Sequence, residues 1–172
     1  MISLTEIIKD NESLRTLKKQ GSMAKKASVQ LLSKRGLEEA DYFILRLKES
    51  SKLKNWVALY RTHSIMSGRP IFWINANLPE IVNQYDPDVN LVRVMTDNIL
   101  HEWWHAICDA FRASQFRNVP LKTKVSFQPD QKEENMAEKF IAYCGGDAWN
   151  DVSEKEAKYF ADAIQEFNSL WR

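Results

Sequence analysis

Over the first fifty residues, apolar positions recur at helical spacing among charged ones. Leu4, Ile7 and Ile8 share one helix face, with Ser3 or Thr5 near its start. Gly21-Ser22 reads as a break and Met23 to Ser33 as a second helix ended by Gly36. Leu37 to Lys48 reads as a third. From Lys54 the pattern shortens into runs of β-branched and aromatic residues. Trp56 to Tyr60 and Pro70 to Asn75 predict two neighbouring antiparallel strands, with Ser67-Gly68 as a turn signal between them. Asn77 to Asp88 predicts a linker with helical pieces. Asn90 is a fitting N-cap for a long helix from about Leu91 to Ser114. The apolar residues of that helix, among them Met95, Ile99, Leu100, Trp103, Ile107 and Phe111, cover much of its circumference, so it should be central and buried.

The remainder follows the same logic. Residues 115–130 form a connection with a short strand at Lys122 to Phe127. Pro129-Asp130 opens a helix from Gln131 to about Cys144, and Gly145-Gly146 closes it. Ser153 and Glu156 make a capping box for an amphipathic helix reaching Trp171. The expectation is one mainly helical α+β domain over residues 1–172. A helical, locally basic region (1–50) leads into a core (55–145) with a small antiparallel sheet beside the long helix, and a C-terminal helix (153–171) closes it.

Composition narrows the function classes. At 172 residues the chain can bury a real core. A net charge of +1 gives no reason to expect an overall grip on nucleic acid or membrane. Lys18, Lys19, Lys25, Lys26, Lys34 and Arg35 make the N-terminal region locally cationic, which reads first as a solvated face and secondly as a contact for an acidic partner or nucleic acid. Cys108 and Cys144 form no C-x-x-C pair, which argues against a zinc ribbon and a disulfide scaffold. Charge enters the N-terminus too early for a signal peptide, and no apolar run reaches membrane-spanning length, so a cytoplasmic location is expected.

The chemistry concentrates in the long helix at His101-Glu102-Trp103-Trp104-His105. Residues four apart lie one turn above each other on a helix, so both imidazoles can aim at one point. Glu102 sits beside them, able to reach a water held there. Two rigid neutral nitrogens, a third protein ligand and an open position are what a hydrolytic zinc requires. The carboxylate then serves as general base. The two tryptophans read as core packing, with a place beside a specificity pocket open to one of them. Cys108 reads as a buried structural thiol, and His63 as a surface residue of a loop.

The H-E-x-x-H stretch resembles that of the zincin metallopeptidases, over roughly residues 55–145. Since no histidine follows His105, the longer metzincin pattern is excluded and a downstream carboxylate is left, as in gluzincins. The stretch Glu133 to Ala142 is similar to the Glu-rich helix of small ImmA/IrrE-like and phage-encoded metallopeptidases. SprT-like proteases are a second relative, although the zinc ribbon many of them carry is missing. The resemblance implies one zinc per chain held by His101, His105 and Glu134, with Glu138 orienting a histidine ring or serving as the alternative ligand. Glu133, Asp109 and Asp130 stay open as ligands, although Asp130 and Glu133 also resemble a capping box. Tyr143 and Tyr159 are candidates for stabilising an oxyanion. The implied activity is hydrolysis of a protein or peptide substrate, with Glu102 as base. The alternative is a catalytically silent zincin-like module that binds a regulatory partner protein or nucleic acid.

Overall fold

Leu4–Lys34 forms one continuous helix, α1, where two had been expected. The computed structural model describes residues 4–48, 58–61, 69–116, 130–146 and 151–170. A glycine inside a helix costs about 1 kcal/mol against alanine, yet α1 runs through Gly21 unbroken. The reason is a buried stripe that includes the glycine: Leu17, Gly21, Ala24, Ser28 and Leu32 recur at spacings of three and four and face the core. Tertiary burial outweighs the local penalty.

The segment expected as a third helix is corrected more sharply. After turns at residues 38–41 the chain extends into β1 (Ile44–Lys48). Its Leu, Arg and Lys residues are good helix formers, but the strand gains a ladder of partners distant in sequence. It pairs in parallel with β3 (Ile71–Asn75), Ile44 opposite Ile71 and Lys48 opposite Asn75. On its other side β3 pairs antiparallel with β2 (Ala58–Arg61), Ala58 opposite Ile74. The spatial order is therefore β1-β3-β2. The α+β class stands, and the sheet is mixed rather than antiparallel. The parallel pair is allowed because the chain between β1 and β3 is long enough to cross over, with β2 lying within it.

A short helix, α2 (Leu78–Asn83), leads to α3 (Leu91–Phe116), the axis of the molecule. Asn90 caps α3 as expected: its side-chain oxygen accepts from the Arg93 amide at 3.3 Å. The last two helices are α4 (Asp130–Cys144) and α5 (Glu154–Leu170). Gly145 has φ +91°, the left-handed geometry that ends helices and that side chains resist. The Ser153 and Glu156 capping box forms in both directions, at 3.0 and 3.2 Å. The expected turn at Ser67-Gly68, the strand at 122–127, His63, Trp56 and Trp171 lie outside the described residues.

Against α3 pack α1, the sheet, α4 and α5. Trp103 and Trp104, a hundred degrees apart on the helix, fill separate aromatic clusters. Trp103 meets Phe43, Phe72 and Phe167 with ring centroids 5.6–5.9 Å apart, all close to edge-on. Trp104 meets Phe140, Tyr159 and Phe160 at 5.0–5.8 Å. Both indoles are fully buried, so neither flanks an open pocket. His101 and His105 lie on a further side of α3, also facing α4.

Candidate metal centre

His101 and His105 stand one turn apart on the rigid middle of α3, with Trp103 and Trp104 anchoring the helix from behind. Their Nε2 atoms converge to 3.1 Å. From α4, Glu134 completes a triangle. Its Oε2 lies 3.2 Å from His101 Nε2 and its Oε1 3.0 Å from His105 Nε2. Among the described residues, these three form the single group of histidine, cysteine and acidic side chains whose donor atoms gather closely enough to hold one ion.

What lies behind the rings decides what the triangle can hold. His101 Nδ1 is 3.1 Å from Glu138 Oε1, and His105 Nδ1 is 2.7 Å from Glu133 Oε1. An ionised carboxylate only accepts, so each Nδ1 carries the hydrogen and donates it. In its neutral form each ring then points the lone pair of Nε2 inward, where the Glu134 carboxylate also points electron pairs. Three acceptors facing one another need a positive charge between them. The triangle edges are close to the roughly 3.3 Å expected between ligands of a tetrahedral zinc with 2.0–2.1 Å bonds. The donor set, two imidazole nitrogens and one carboxylate oxygen, therefore fits zinc.

The electrostatics carry the same signature. Burial lowers the basicity of His105, but the hydrogen bond to Glu133 and the charges of Glu102, Glu134 and Glu133 outweigh it, and its pKa is raised. For His101 burial wins, helped by the charge of His105 and opposed by Glu134 and Glu138, and its pKa is lowered. Glu134 and Glu138 are 64% and 52% exposed while the histidines are 15%, so the triangle opens to solvent on the glutamate side.

Glu133 is the principal correction. Instead of turning back to a helix cap, its nearly buried carboxylate is held by His105 and by both guanidinium nitrogens of Arg112. Burial would raise its pKa, but those hydrogen bonds and charges hold it at about 2. Arg112 was missed by the sequence reading, although a signal existed: it follows His105 by seven residues, two turns along the same face of α3.

The other candidates separate clearly. Glu102 is buried at 6% exposure, and its charge is felt at His105. Cys108 is a buried thiol whose pKa is pushed up by burial and by Glu133, and it is not among the converging donors. Asp109 is not among the converging donors, and the side chain of Asp130 lies outside the described residues. Tyr143, nine residues beyond Glu134, is about 13 Å further along the α4 axis. Its ring stacks with Phe140, and Arg35 covers it at 4.4 Å, so it cannot reach the triangle. Tyr159 packs on Trp104 and Phe160, and burial with the charges of Cys108 and Glu133 pushes its hydroxyl up to about 12. Among the described residues no helix is long and apolar enough to cross a membrane. Compared with known proteins, the chain matches no family model, no curated protein and no solved structure.

Proposed function

We propose that the chain is a zinc-dependent metallopeptidase of the zincin type, with one zinc held by His101, His105 and Glu134. The observation that carries this reading is the pair of carboxylates behind the rings. Glu138 and Glu133 fix both histidines as inward-pointing acceptors beside Glu134, an arrangement that helix packing alone has no use for.

Bound zinc would polarise a peptide carbonyl and lower the pKa of a water toward about 7. The remaining steps belong to this chain's own groups. Glu102, next to His101 on α3, takes the proton of the attacking water and holds it until the leaving amine accepts it. Its burial beside the histidines keeps the carboxylate close and weakly solvated. Glu138 and Glu133 keep the imidazoles from rotating, and Arg112 keeps Glu133 ionised in its nearly buried place. The exposed flank formed by Glu134 and Glu138 leaves room for a protein or peptide substrate.

The test pairs metal content with turnover. Purified wild type should carry about one zinc per chain by mass spectrometry, and His101→Ala should lose it. Glu102→Gln should keep the zinc while cleavage of unfolded casein drops by roughly 10²–10⁴. Cleavage by Glu102→Gln at the wild-type rate would remove the mechanism. Zinc without any cleavage by wild type would favour a metal-holding module that acts by binding a partner.

A further inference from the structure

We infer that the groove between α1 and the free edge of β1 is a docking site for an extended, acidic peptide segment of a partner protein. The groove encloses about 680 Å³ and shares no residue with the metal triangle. One wall is a stripe of α1 that includes Lys18, Gly21 and Lys25, at the spacings of a single helix face. The other is β1 itself. The Ile44 amide donates to the Pro70 carbonyl at 2.8 Å, so Ile44, Arg46 and Lys48 turn their main-chain groups toward β3. Leu45 and Leu47 therefore turn theirs away from the sheet, where no strand pairs with β1 among the described residues. An incoming extended chain can take those N–H and C=O groups as a fourth strand.

The charges select the chain. Lys18, Lys25, Arg46 and Arg69 line the groove, and no carboxylate does among the described residues. Lys18 and Arg46 are exposed and form no ion pair among the described residues. Lys25 is half-buried, its Nζ bonded to the Phe43 carbonyl at 2.8 Å and set 4.5 Å over the Phe43 ring. Burial lowers its pKa, and Arg69 opposes its charge while Asp41 supports it. Acidic side chains on alternate positions of an added strand would meet these cations and relieve that repulsion. A nucleic-acid strand fits less well: it cannot continue the amide ladder, and the Phe43 ring in the wall is fully buried rather than open to stacking.

The site stands apart from the proposed zinc. β1 is one edge of the sheet, and β2, which packs on α3, is the other, about 10 Å away across β3. Docking is therefore tested without the catalytic reading. The probe is a fluorescein-labelled ten-residue peptide of alternating glutamate and threonine, titrated by fluorescence anisotropy. EDTA is kept in the buffer so that its carboxylates cannot report on a metal. Binding should saturate, and the double variant Lys18→Gln, Arg46→Gln should weaken it by about tenfold, since both are exposed charges at the rim. Proline at alternate positions of the peptide should abolish binding, because it removes the donors of the ladder. Undiminished binding by the proline peptide, or by a double variant with wild-type circular dichroism, would overturn the assignment. Tighter binding of oligo-dT of equal length would overturn it in favour of nucleic acid. No binding of the glutamate peptide at all would also end it.

Discussion

Glu133 and Glu134 are neighbours in the chain, and the turn of α4 delivers them to opposite sides of the His105 ring. Glu134 faces Nε2 of both histidines, while Glu133 takes the Nδ1 hydrogen of His105. The assignment follows from what each carboxylate can do where it stands. Glu134 is exposed and adaptable, whereas Glu133 is forked by Arg112 and has no freedom to approach the triangle. Removing that clamp should loosen the ring without removing a ligand. Under the proposed function, Glu133→Gln is expected to weaken zinc binding by roughly 10–100-fold while leaving about one site per chain, measured by competition with a chromophoric chelator. Unchanged affinity would mean that the Glu133–Arg112 pair serves folding alone.

At the scale of elements, what the sequence made legible was local. The caps at Asn90 and Ser153, the extent of α3 and the glycine stop after α4 all depend on residues a few positions apart, and all are present. The stop has two parts. Gly145 supplies the left-handed turn. Gly146 is needed for space, since a Cβ there would stand 2.5 Å from the Ile141 side chain and 2.6 Å from the Asp97 carboxylate. Gly145→Ala has room but the wrong backbone, and should cost roughly 1–2 kcal/mol in chemical denaturation. A neutral result would show that the turn relaxes. Less legible were α1 and β1. Gly21 carries a break signal that the buried stripe overrules, and Ile44 to Lys48 carries helix formers that a distant partner strand overrules.

At the scale of the whole molecule, α3 is held by α1, the sheet, α4 and α5, and presents His101 and His105 toward α4. The two motif tryptophans bind it to the sheet and α5 on one flank and to α4 and α5 on the other. Both bury an indole N–H without an acceptor among the described residues, a cost of roughly 1–3 kcal/mol apiece that the packing of the rings must exceed. Trp103→Ala should therefore destabilise the fold by about 3–5 kcal/mol by denaturant unfolding, with loss of the metal triangle only as the fold is lost. Zinc released from a still-folded Trp103→Ala would show instead that the tryptophan tunes the site directly.

By itself the sequence determined the pair His101 and His105 with Glu102 beside them, because the helical repeat converts a spacing of four into one shared face. It also determined that their helix is central, because its apolar residues cover much of its circumference. Tertiary structure alone decided which glutamate meets which nitrogen, that Arg112 supports the set, and that β1 joins the sheet in parallel as an edge strand among the described residues. Those outcomes depend on how separate elements approach one another, and no periodicity within either element records the distance between them.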